Sequence, residues 1–140
     1  MSAQPETHKY IPQRPPFVMI DAFKSLIENG IQSEFTISPE NVLVVDGVFQ
    51  ESGLVENMAQ TAAMYAGYTA NKSNLPAPIG FIGALRNLKI IGLPRVAEKL
   101  TTSVKLKSEV MNIQIVEAEV RNEAQEILAE CELRIFLKPE

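Results

Sequence analysis

The 140-residue chain has a single cysteine, Cys131, and a single histidine, His8. One cysteine forbids an intramolecular disulfide and a multi-cysteine metal site, and it fits a reducing compartment. With so few of both residue types, no zinc spacing and no Ser-His-Asp set is seen. No run of about 18 apolar residues occurs, so no membrane-spanning helix is expected. Positive charge is not in excess: the formal net charge is -4, which argues against nucleic acid as the main partner. No glycine-rich phosphate loop, internal repeat or low-complexity tract is found. The opening MSAQPETHKY lacks the apolar centre of a secretory signal. The expectation is a cytoplasmic protein without metal or cofactor.

What is present suits one domain over 1–140, with 1–9 as a flexible polar tail. Hydrophobic residues make up 46% of the chain, enough for a chain of this length to bury one core without staples. In YIPQRPPFVMID three prolines exclude a regular helix before Phe17. AFKSLIENGIQSEFTI places Asn29-Gly30 between two apolar runs, the signature of a tight hairpin turn. It predicts strands over about 20–28 and 31–37. SPENVLVVDGVFQE reads as loop with a short apolar stretch.

SGLVENMAQTAAMYAGY predicts the one long helix, over about 53–71. It is apolar nearly all round, as buried helices are. Ala59, Ala62, Ala63, Ala66 and Ala70 recur at helical spacing, and their small side chains are expected to let a sheet approach closely. Four strands follow, over about 79–91, 99–110, 112–122 and 126–137, with the alternation of strands that have one wet face. Segregated strands and helix give an α+β class. The expected architecture is a curved antiparallel sheet of five to six strands wrapped around one helix. The part left exposed invites a dimer.

Glu56 is the only charge on this helix after its first residues and before Lys72. Two readings stand. An acid near a helix N-terminus gains about 0.3–1 kcal/mol from the macrodipole. Alternatively, a carboxyl group in apolar surroundings is suited to acid/base chemistry. Gln60, one turn on, can orient that carboxylate or bind a ligand amide. Amides near Gly53 at the helix start can hold a thioester oxygen, and glycine lets a substrate come close.

Two stretches resemble a known family. YIPQRPPFVMID is similar to the signature L-P-H-R-x-P-F-x-x-x-D of the 3-hydroxyacyl-acyl-carrier-protein dehydratases of fatty acid synthesis, at Pro12, Arg14, Pro16, Phe17 and Asp21. GLVENMAQ resembles that family's helix start, G-V-L-I-L-E-A-M-A-Q, at Gly53, Glu56, Met58, Ala59 and Gln60. FIGALRNLKIIGLPRVAEKLTTSV resembles its following strands. The likeness runs from about Tyr10 to Leu137, and the shortened loop before the helix also resembles dehydratase-like members of aryl-polyene pigment clusters. It implies a hot-dog fold, a dimer, and a site at the dimer interface. There a histidine of one subunit works with the acid of the other on an acyl thioester of a carrier protein. It thereby assigns Glu56 as the acid.

The chain departs from this pattern where the base belongs. The family reads G-H-F-P-G before the helix; this chain reads DGVFQESG. With Phe49 matched to the family phenylalanine, Val48 stands in the histidine's place, and Val48, Phe49, Gly53 and Gln60 become the substrate-binding candidates beside Glu56. Gln13 replaces a second, non-catalytic histidine. General base catalysis is worth about 10²–10⁴-fold, so the missing base matters. Asp46 is the alternative base, and His8 lies in the tail.

Three functions remain open. One is a dehydratase on 3-hydroxyacyl thioesters. Another is a thioesterase using Glu56 on a carrier-protein or coenzyme A thioester. The third is a non-catalytic acyl-binding subunit paired with a homologue. Arg86, Lys89, Arg95, Lys99, Lys105 and Lys107 form either a solvated face or a docking face for an acidic carrier protein. The acidic stretch 109–132 reads as a wet sheet face, and Cys131 as core filler.

Overall fold

The computed structural model describes residues 10–11, 14–75 and 80–137. Strands β1 (Ala22–Ile27) and β2 (Gly30–Thr36) form the first hairpin, followed by the short strands β3 (Val44–Val45) and β4 (Val48–Phe49). Helix α1 (Glu51–Lys72) comes next, and then β5 (Gly80–Ile90), β6 (Lys99–Val110), β7 (Ile113–Arg121) and β8 (Ile127–Leu137). Six strands make one antiparallel sheet in the order β1-β2-β6-β7-β8-β5. This is the expected α+β architecture, a sheet around one helix.

Two turns explain much of the chain's path. Asn29 takes φ +59° at the β1–β2 turn, a conformation asparagine tolerates better than most residues. A Cβ on Gly30 would lie 1.9 Å from the Val104 carbonyl oxygen, so only glycine lets β2 begin this close to β6. The stretch 38–51 is not all loop. Asp46 and Gly47, at φ +52° and +77°, turn β3 into β4. Two central residues with positive φ match the right-handed strand twist of a two-residue hairpin. Asp-Gly between valines was the signal for it.

Alternation sorts the sheet into an inner and an outer face. On β7, Gln114, Val116, Ala118 and Val120 are buried, while Ile115, Glu117 and Glu119 face out. On the outer face Glu117 stands opposite Glu132, and Glu119 opposite Glu130. Like charges so placed repel. Neighbouring cations offset them: Lys107 lies 3.7 Å from Glu117 and 3.9 Å from Glu132. Lys89 lies 3.8 Å from Glu130, and Arg121 3.2 Å from Glu119. The basic and acidic segments thus interleave as one solvated, paired face.

The helix packs against the inner face through its large residues, not its small ones. Leu54, Met58 and Met64 are fully buried. Of the five alanines only Ala62 joins them; Ala59, Ala63, Ala66 and Ala70 are half-buried. The expectation of alanines against the sheet is therefore corrected. A helix and a sheet leave a gap that must be filled to the density of a solid, and alanine there would leave voids. Cys131 is the expected core filler: its Sγ lies 3.7 Å from Met58 Sδ, and burial pushes its thiol up to about 11.

Candidate functional site

At about 100° per residue, the surface of α1 divides into three sectors. Leu54, Asn57, Met58, Thr61, Ala62 and Met64 are buried toward the sheet. Gly53, Gln60 and Gly67, each seven residues apart, form a second stripe that other parts of the chain cover. Phe49 packs on Gly53, where a Cβ would lie 2.4 Å from its ring. Residues 17–19 cross at Gln60. Tyr10 crosses at Gly67, where a Cβ would lie 2.1 Å from its carbonyl oxygen. Ser52, Val55, Glu56, Ala59, Ala63, Ala66 and Ala70 make up the third sector, which stays half-buried or exposed.

Glu56 sits where the second sector meets the third. Its Oε1 accepts a hydrogen bond from Gln60 Nε2 at 3.0 Å. The Gln60 amide is fully buried and fully engaged. Nε2 also donates to the Phe17 carbonyl at 2.8 Å, and Oε1 accepts from the Met19 amide at 2.6 Å. Of the two roles expected for Gln60, this geometry supplies the first: it aims a carboxylate. Neither of its N–H groups remains for a ligand.

The helix start is built differently from expectation. It begins at Glu51, with Gln50 as N-cap and no side-chain cap. The Gly53 amide donates to the Gln50 carbonyl at 2.9 Å, so it does not face a ligand. Phe49 is fully buried, its ring 5.6 Å from that of Phe35. Gly53 and Phe49 therefore pack the helix start against the core. Val48 is half-buried, bridged to Arg95, and its carbonyl accepts from Gln50 Nε2 at 2.9 Å. Asp46 is exposed at the hairpin turn. His8 lies outside the described residues, among which there is no histidine.

Beneath Glu56 lies a buried polar layer that sequence reasoning missed. Asn57 Nδ2 donates to the Met19 carbonyl at 2.6 Å. Its Oδ1 accepts from the Thr102 hydroxyl. Thr61 donates to the Asn57 carbonyl at 2.8 Å and meets Ser33 at 2.7 Å. Asn57 and Thr61, one turn apart in an alanine- and methionine-rich helix, were the available signal. Asp21 is held elsewhere: its carboxyl is raised above the usual value, chiefly by burial, though it accepts the Thr36 amide at 2.8 Å. Among the described residues no group of three or more His, Cys, Asp or Glu side chains is placed to hold a metal ion, and no helix is long and apolar enough to cross a membrane.

Comparison with known proteins fits this layout. No curated protein matches the chain. A chain of the dehydratase heterocomplex ApeI:P from Xenorhabdus doucetiae superposes with a TM-score of 0.85 at 17% identity, covering 96% of this chain and 91% of that one. The smu.793 protein from Streptococcus mutans, bound to acetyl CoA, gives 0.70 at 9% identity, with 94% and 98% covered. A hypothetical thioesterase from Streptococcus pneumoniae, with coenzyme A, gives 0.69 at 8% identity, with 85% and 86% covered. These likenesses show the hot-dog fold. Residues 5–140 match the ApeP-like family, described as ApeP dehydratase. The chain belongs to the ApeP-like dehydratase family.

Proposed function

We propose that this member of the ApeP-like dehydratase family is one subunit of a dehydratase acting on 3-hydroxyacyl thioesters of an acyl carrier protein, with Glu56 as the acid and the base on a partner subunit. One observation carries this reading. A carboxylate aimed by a buried glutamine stands on the open side of the central helix, and no histidine stands among the described residues. The family match and the likeness to a dehydratase heterocomplex support it. So does the placement of β5 at the sheet edge, with Ile82 and Leu88 exposed.

The chemistry follows from the two roles. The partner's base takes the proton from C2 of the acyl chain. The C3–O bond breaks as the Glu56 carboxyl group gives its proton to the leaving hydroxyl, and water departs. A C2=C3 double bond remains, conjugated with the thioester carbonyl. A general acid of this kind is worth about 10²–10⁴-fold.

The test mixes the full chain with a histidine-bearing dehydratase of the same fold and follows conversion of a 3-hydroxyacyl-carrier substrate to the enoyl product. Turnover is expected from the mixture, with loss in Glu56→Gln. A co-purifying complex that turns over no faster than background, or equally fast with Glu56→Gln, refutes the reading. A thioesterase is the second reading, favoured by one point: a carboxylate that activates water needs no histidine. Release of free thiol by the chain alone, lost in Glu56→Gln, would select it.

A further inference from the structure

We infer that Asn57 is a positioning residue for the Glu56 carboxylate, acting through Met19 and Gln60; this rests on the reading of Glu56 as the acid. Asn57 does not touch the carboxylate. It lies on the sheet side of the helix with its side chain fully buried, between Thr102 on β6 and the Met19 carbonyl. What it holds is residue 19. Asn57 grips the peptide group after Met19 by its oxygen, and Gln60 grips the one before it by its nitrogen. The Met19 side chain is buried, with its Sδ 3.3 Å from Asn41 Nδ2.

Gln60 owes its orientation to this arrangement. Its Oε1 is fixed by the Met19 amide and one N–H by the Phe17 carbonyl, so the second N–H has one direction left, toward Glu56 Oε1 at 3.0 Å. Were residues 17–19 free to shift, Gln60 would lose two of its three anchors, and the bond it gives Glu56, whose carboxylate has no other hydrogen-bond donor among the described residues, would lose its fixed direction. Asn57 stops that shift by tying Met19 to the sheet. Each amide also polarises the next in such a chain, which stiffens it as a unit. A reacting group displaced by about 1 Å can lose about 10²-fold in rate.

The test uses Asn57→Ala in the full chain, with two milder variants: Thr102→Val, which keeps the buried volume nearly constant, and Thr102→Ser, which keeps the hydroxyl donor. Two quantities are read: hydrogen exchange of the Gln60 side-chain amide by NMR, and kcat and KM of the reconstituted complex. Expected for Asn57→Ala are exchange faster by about tenfold or more and kcat down by about tenfold with KM within about twofold. Thr102→Val should show the same pattern more weakly, and Thr102→Ser, which retains the donor, should match wild type. If Asn57→Ala does not fold, the Thr102 pair decides. Wild-type exchange at Gln60 in the folded Asn57→Ala or Thr102→Val variants overturns the inference, as does a kcat loss without that change. Because the Gln60 signal needs no substrate, a wild-type complex that turns nothing over removes the functional reading alone, and exchange still decides on Asn57.

Discussion

The two sides of α1 invert the usual arrangement of an amphipathic helix. The side against the sheet carries Asn57 and Thr61 among its methionines, with Gln60 at its border, all three fully buried. The half-open side carries Val55, Ala59, Ala63 and Ala66, and its one acid is Glu56. Burying amides and hydroxyls gains little stability even when every bond is made. What it gains is a fixed orientation, because each group has one set of partners. The open side lacks such constraints, and on the proposed reading its small apolar residues leave room for a second subunit and an acyl chain. One side of the helix fixes geometry, and the other is the side proposed to receive.

Glu56→Gln is the sharpest break of that comparison. In the reconstituted complex, kcat should fall by about 10²–10⁴-fold with the unfolding midpoint little changed. Undiminished turnover would show that the open side is not where the chemistry happens. Next comes a pair of substitutions, one per side. Met58→Ala should cost about 2–5 kcal/mol in urea unfolding, as large-to-small core changes do. Ala63→Leu should stay within about 0.5 kcal/mol for the chain alone, yet weaken association with the partner in size-exclusion runs. Equal stability losses would mean that both sides are core.

The covered stripe can be tested at its glycines. At Gly67 an added Cβ meets the Tyr10 backbone at 2.1 Å, whereas at Gly92, a control outside the stripe in the loop after β5, it meets only the end of Leu128 at 3.5 Å. Gly67→Ala should therefore cost about 1–3 kcal/mol by overpacking, and Gly92→Ala less than about 0.5 kcal/mol, by the same urea measurement. Cys131, on the sheet opposite Met58, should resist thiol reagents near pH 8 until the chain unfolds, since burial pushes its thiol up to about 11. Labelling in the native state would show that this side opens.

The smallest effect concerns Asp21, whose carboxyl is raised above 3.8, mainly by burial. The native state then holds this proton more tightly than the unfolded chain. Stability from the group is complete below the unfolded value and is lost as pH rises through the folded one. Asp21→Asn cannot ionise, and its Oδ1 still accepts from Thr36. It should gain on wild type as pH climbs from about 4 toward neutrality. A gap in unfolding midpoint that is flat with pH would contradict this.

Local signals were legible because they act over a few residues. Asn29-Gly30 predicts its turn, the alternation in IQIVEAEV its strand, and the apolar run from Gly53 its helix. The ends shift by only one or two residues: the helix begins at Glu51 and closes at Lys72. The Asp46-Gly47 hairpin escaped because its strands are two residues long, too short for a period to show. The candidate site was legible in part. Glu56 stands out as a charge in an apolar helix, and Gln60 follows at one turn. Asn57 and Thr61 did not stand out as a site, since their partners lie 38, 45 and 28 positions away at Met19, Thr102 and Ser33.

Composition, turn chemistry and periodicity by themselves determined a helix, its flanking strands and the isolated acid, because those depend on neighbours along the chain. Which side of that helix meets the sheet was decided only in three dimensions. Periodicity counts apolar positions, and alanine and methionine both qualify. The gap between helix and sheet is filled chiefly by the larger ones, and with the methionines turned inward Glu56 and every alanine but Ala62 face outward.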